Sequence, residues 1–157
     1  GGGGHSAGDP PTREAQVRLT RCLKDCKSVE ELHRYSGKIG TFNEIHVSRA
    51  LGKLRELNAG RTLEGPLDKQ FAEQVLARTR EISLQLDSVV VCDILKFVGH
   101  FAIILNPAVQ GALLDRLRDH IPTMPAHAAS SIVDALHQSN LLPQALEREL
   151  GLRAGGG

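Results

Sequence analysis

The sequence predicts an all-α fold built from stacked helical hairpins. Three observations predict it: a block of apolar positions returns with nearly fixed spacing, each return follows a helix-starting signal, and no segment alternates apolar and polar residues with a period of two. The blocks open at Phe42, Leu86 and Met124, 44 and then 38 residues apart. Laid on one another they align Ala50 with Ile94 and Ile132, Leu51 with Leu95 and Val133, and Leu54 with Val98 and Leu136. The register reaches back into the preceding segments, where Leu32, Leu76 and Leu114 coincide and, two residues later, Arg34, Arg78 and Arg116. A single hairpin cannot bury its apolar face, so neighbours must cover it. The expectation is a short α-solenoid of about three repeats of roughly 38 residues.

Each element has a local reason. Gly1–Pro11 and residues 153–157 are glycine-rich ends expected to be disordered, flanking a helical-repeat domain over 12–152. Thr12 can cap a helix running to about Lys27, with Ala15, Leu19, Cys22, Leu23 and Cys26 at helical spacing. Ser28-Val-Glu-Glu31 reads as a capping box opening a second helix that carries Val29, Leu32, Tyr35 and Ile39 and closes at Gly40. Asn43 caps a third helix, to about Asn58, that turns Ile45, Val47, Ala50, Leu51, Leu54 and Leu57 inward. Asn58–Gly65 is the longest internal loop and accounts for the six extra residues of the first interval.

Pro66 suits the first turn of a long helix to about Gln85, with Phe71, Ala72, Val75, Thr79, Ile82 and Leu86 in one stripe. Asp87 caps a helix that is apolar on most sides from Val89 to Phe101, and it is expected to be central and covered. Asn106-Pro107 is a cap followed by proline at the first helical position, and Val109, Leu113, Leu114, Leu117 and Ile121 form the stripe that follows. Pro122 and Pro125 punctuate the turn into a helix with Ala128, Ala129, Ile132, Val133 and Leu136. Pro143 opens a last short helix with Leu146 and Leu150.

Composition narrows the function classes. Aromatic residues make up only 3% of the 157, with no Trp and one Tyr, so the core is built from Leu, Ile, Val and Ala. No apolar stretch is long enough to span a bilayer, because Ile94–Leu105 is broken by Lys96, Gly99 and His100. No secretory signal pattern is visible, and a chain that opens on Gly1 is expected to be processed or part of a longer one. Net charge is +1, yet the chain from Thr12 to Arg61 carries 11 Lys/Arg against 6 Asp/Glu, and the remainder from Thr62 is acidic. A basic front half suits phosphate; a solvated helical surface explains the same count equally well. Cys22, Cys26 and Cys92 make no disulfide framework and read as buried free thiols of a reducing compartment rather than metal ligands.

The stretch from Leu113 to Leu136, continuing through His137-Gln-Ser-Asn-Leu-Leu-Pro143, resembles the octotricopeptide repeats of organellar RNA-binding proteins. Those repeats share a helix-turn-helix unit of about 38 residues. It is similar also to the leucine-rich helical region of FAST-kinase-like proteins and to the apicomplexan heptatricopeptide repeats. Phe42 to Leu57 looks like the second helix of that unit, and the resemblance runs from about Ser28 to Leu150. Gly52, Lys96 and Asp134 stand where such repeats usually carry an aromatic residue. The resemblance implies a mitochondrial or plastid protein that binds RNA and acts in transcript processing, stability, translation or ribosome assembly. The alternative is a solenoid that binds protein, including as a peripheral part of an organellar ribosome.

The repeated arginines are the leading candidate site. On a helical wheel Arg78 and Arg116 flank the apolar stripe, so their stems can lie on the core while the guanidinium reaches solvent. With Arg34 they would make a ladder along one ridge, suited to phosphate, and Arg80 and Arg118 form a second matched pair loosely joined by Lys38. Snorkelling beside acidic residues such as Asp115 and Asp119 explains the same arginines without a ligand. Tyr35 and Phe42, the aromatics of the basic half, read as core, and Asn43, Asp87 and Asn106 read as caps rather than base readers. The histidines, His33, His46, His100, His120, His127 and His137 among them, complete no ligand set with Cys, Asp or Glu. Ser36-Gly-Lys-Ile-Gly-Thr41 has the letters of a phosphate loop without its spacing or a preceding strand, and no kinase signature set is present. The chain is therefore expected to be no enzyme, with no cofactor, no small-molecule substrate and no membrane partner.

Overall fold

The computed structural model describes residues 12–58, 60, 63 and 65–139 and is all-helical, with no strand among the described residues. The glycine-rich ends and the helix expected at Pro143 lie outside these. The helices are α1 (Arg13–Asp25), α2 (Val29–His33), α3 (Glu44–Leu57), α4 (Pro66–Glu81), α5 (Ser88–His100), α6 (Pro107–His120) and α7 (Ala126–Ser139).

Helix starts follow the local chemistry. Thr12 Oγ1 accepts from the Ala15 N–H at 3.1 Å, Asp87 Oδ1 from Val90 at 2.9 Å and Asn106 Oδ1 from Ala108 at 2.8 Å. Asn43 forms a reciprocal pair, its Oδ1 accepting from the His46 N–H at 2.9 Å while its own N–H donates to His46 Nδ1 at 3.0 Å. The box expected at Ser28 is displaced. Ser28 Oγ takes the Glu31 N–H, but Glu31 Oε2 reaches back one residue further, to the Lys27 N–H.

Two helix ends differ from expectation. α2 stops at His33, and Ser36–Thr41 tightens into a 3₁₀ helix, because a segment holding Ser36, Gly37, Gly40 and Thr41 has little α-helical preference. α4 stops at Glu81, and Ser83–Gln85 is a 3₁₀ turn. A third 3₁₀ turn, Ile121–Thr123, precedes α7. All three end alike. Phe42, Leu86 and Met124 each hold extended backbone (φ −62°, −75° and −81°; ψ 135°, 128° and 130°) and donate their N–H to the carbonyl three residues back. Each buries its side chain to 2% exposure or less. An apolar residue just before a helix cap fixes the angle at which the chain enters the helix, and here the same entry recurs at each block.

Packing sets α1 against α3, α3 against α5 and α5 against α7, while α2 meets α4 and α4 meets α6. Contacts of α3 with α4 and of α5 with α6 join these two rows around one core, whose most enclosed side chains include Phe42, Phe71, Leu95, Leu113, Leu117 and Ile132. Two stripe positions point outward instead. Ile45 is 49% and Val89 64% exposed, each in the first turn of its helix. The rest of α5 is covered as expected, with Val91, Ile94, Leu95, Phe97 and Val98 all at 2% exposure or less.

α5 and α7 form the closest pair, and Gly99 permits it: a Cβ there would lie 2.9 Å from the Gln138 backbone carbon. α5 then ends in a Schellman-type reversal, with Ile103 N–H on the Val98 carbonyl at 3.0 Å and Ala102 N–H on Gly99 at 3.3 Å. Ala102 carries it at φ 50°, a conformation glycine adopts without the Cβ penalty.

Gly99→Ala should therefore destabilise the chain by about 1–3 kcal/mol, an overpacking cost. Gly52→Ala, in an exposed part of α3 with open space around it, should stabilise by about 0.5–1 kcal/mol. Urea titrations of the two variants give opposite shifts if the close approach is real. Ala102→Gly should raise stability by roughly 0.5–1 kcal/mol, read as a higher melting temperature; a lowered one would contradict the strained reversal.

Candidate nucleic-acid interface

The repeated arginines do not form one exposed row. Arg78 is 21% exposed, with Nε donating to the Phe42 carbonyl at 3.0 Å and a terminal nitrogen 3.1 Å from Glu81 Oε1. Arg116 is 22% exposed, with Nε on the Leu86 carbonyl at 2.8 Å and a terminal nitrogen 3.8 Å from Asp119 Oδ2. Phe42 and Leu86 are the buried residues that close successive 3₁₀ turns. A carbonyl one residue before a helix cap lies outside the helical hydrogen-bond ladder, which begins at the cap itself. The arginine supplies the donor from the helix that follows, so each bond ties one hairpin to the next. At Leu86 the carbonyl also receives His120 Nε2 at 2.9 Å.

The other cations face water. Arg34 and Lys38 are exposed, at the end of α2 and within the 36–41 turn. Arg80 is exposed on a groove of about 670 Å³ between α4 and α6, beside Glu73 and Glu81. Arg118, 51% exposed, has Asp115 Oδ1 at 3.5 Å.

A further cationic surface lies at α1, where Glu14 and Asp25 are exposed among the basic residues. Arg13, Arg18, Arg21 and Lys24 are all exposed there. Arg18 and Lys38 share a recess of about 220 Å³ between α1 and the 36–41 turn, whose walls include Tyr35, Thr41, Cys22 and His46. The recess is held rigidly on one side. His46 is fully buried, and because its Nδ1 accepts from Asn43, Nε2 carries the hydrogen and donates to the Gln16 carbonyl of α1 at 2.8 Å. Neither Arg18 nor the interhelical role of His46 stands out in the sequence. Only the +5 imbalance of the front half signalled the first, and the i, i+3 step from Asn43 to His46 signalled the second.

Compared with known proteins, this chain stands as follows. No family model, curated protein or solved structure matches it.

Two of the three thiols, Cys26 and Cys92, are buried. Burial pushes the Cys92 thiol up from its ordinary range, and burial together with the Glu31 carboxylate pushes Cys26 up, so both stay protonated at neutral pH. A hydrogen bond with Cys22 and partial burial raise the Tyr35 phenol in the same direction. Among the described residues no three His, Cys, Asp or Glu side chains gather as a metal site.

Arg116→Ala should cost about 1–3 kcal/mol in chemical denaturation, since it strips a charged donor from a part-buried carbonyl. Arg116→Lys should recover less than half of that, because an ammonium cannot serve the carbonyl and Asp119 with one planar group. Arg118→Ala should stay within about 0.5 kcal/mol of wild type. Equal losses at the two arginines would refute the assignment.

Proposed function

We propose that this chain is an RNA-binding helical-repeat module, a short α-solenoid of an organellar RNA-processing, translation or ribosome-assembly apparatus. In this reading it grips the phosphate backbone of single-stranded RNA along α1 and the adjoining 36–41 turn. The observation that carries it is the convergence of Arg18 and Lys38 on one recess lined by no carboxylate, with Arg13, Arg21 and Lys24 outnumbering Glu14 and Asp25 on the rest of the exposed surface of the same helix. Guanidinium and ammonium groups on a rigid edge supply the sequence-independent part of nucleic-acid affinity. Arg34 lies in the same basic half. Arg80 and Arg118, each with a carboxylate nearby, contribute less in this reading, and Arg78 and Arg116 serve the fold.

A second reading rests on a different observation. Ile45 and Val89, at matched positions of the packed helices α3 and α5, are both exposed, and an apolar pair on adjoining helices favours a protein partner.

Filter binding to single-stranded RNA across a salt series tests the first reading. Affinity should fall steeply with salt, at roughly −0.7 in log–log slope per phosphate contacted. Reversing Arg13, Arg18 and Arg21 to Glu should weaken binding by about tenfold or more at low salt and flatten the slope. Reversing Arg80 and Arg118 should change it by less than about threefold. Absence of binding at low salt would remove the RNA reading and leave the protein partner.

A further inference from the structure

We infer that the recess between α1 and the 36–41 turn is a subsite for a single nucleotide of the RNA strand, with Tyr35 against the base and Arg18 and Lys38 on its phosphate. This deepens the RNA reading and rests on it. At about 220 Å³ the recess is smaller than the usual small-molecule pocket, and one nucleobase with part of its backbone matches its scale. Its wall chemistry is mixed in the way a nucleotide needs. Tyr35 supplies an aromatic surface and Leu19 an apolar one, Thr41 and Gln16 supply polar groups, and the two cations stand at the same opening. Aromatic side chains beside basic ones are the recurring means of holding single strands, because every base presents a π-face whatever its identity.

The two grooves along α4 differ on this point. There Lys69 and Arg80 share their surfaces with Glu73, and Arg80 with Glu81 also, so a phosphate meets opposing charge. The α1 recess is also preorganised. Tyr35 packs partly buried against the core, and His46 locks the neighbouring start of α3 to the backbone of α1. A strand seated there would continue along α1, past Arg21 or Arg13, on a surface that also holds Glu14.

Tyr35 is the single tyrosine of a chain without tryptophan, so its intrinsic fluorescence reports this recess alone. Titration of the full chain with oligouridylate, in parallel with filter binding, is the test. Saturable quenching of Tyr35 should follow the filter-binding curve. K38E, an exposed change checked for native helicity by circular dichroism, should weaken both by about fivefold or more. Uridine monophosphate should quench only at concentrations at least about tenfold higher, since it lacks the contacts to Arg13 and Arg21. Filter binding without any change at Tyr35 would overturn the subsite and leave the RNA reading standing. Equal potency of the mononucleotide would overturn the strand subsite in favour of a free-nucleotide site. Loss of all RNA binding at low salt would overturn both.

Discussion

The bond from an arginine to the carbonyl one residue ahead of a helix cap is the interaction on which this fold depends. Each hairpin ends its first helix in a 3₁₀ turn, buries one apolar side chain, and starts its second helix at a capping residue. That sequence of events leaves one carbonyl outside any ladder and close to the core. Arg78 answers the carbonyl of Phe42, and Arg116 that of Leu86. A hydrogen bond from a charged donor contributes on the order of 1.5–3 kcal/mol, comparable with burying one aliphatic side chain. Its direction matters more than its size. Because the donor sits on the following helix, the bond sets the register between one hairpin and the next, which apolar packing specifies only loosely.

This explains why sequence revealed so much of the helices and so little of the arginines. Caps such as Asn43, Asp87 and Asn106 act over two or three residues, and their partners are the backbone itself, so residue type and position suffice to read them. The 3₁₀ turns were harder. Ile39 and Ile82 continue the helical period, and only the energetic weakness of Ser36, Gly37, Gly40 and Ser83 in a helix marks the break. Ile45 and Val89 are a different case: a wheel gives the angle of a side chain and not which neighbour covers it, and both stand exposed. Arg78 finds its partner 36 residues upstream and Arg116 finds it 30 upstream. No periodicity encodes that carbonyl, because the backbone carries the same group at every position.

The histidines show the same limit. His46 stands in an ordinary third position after a cap, where a carboxylate or amide is more usual, yet its second ring nitrogen reaches the Gln16 carbonyl and seats α1. The first helix, which carries the exposed arginines, therefore owes its position to a residue of the third. The imidazole adds one directed bond to the apolar contact that Leu19 and Leu23 of α1 already make with the core.

Once two of the three repeated arginines are committed to the fold, the remaining cations lose the repeat period. That has a consequence for recognition. A ladder with one cation per hairpin would space its contacts evenly along the molecule and suit a code read unit by unit. Exposed cations also stand on α3 (Arg49, Arg55), α4 (Lys69, Arg80) and α6 (Arg118), and the densest group is that of α1 and the 36–41 turn, at one end of the packed rows. A net charge of +1 gives little long-range attraction, so contact depends on that local concentration of charge. Under the proposed RNA reading such an edge would meet a backbone over a short footprint and be largely indifferent to sequence, since phosphate contacts position a strand without identifying its bases. In that proposed reading, sequence preference would come from whatever single base the Tyr35 recess admits or from a protein that binds the apolar side chains on α3 and α5.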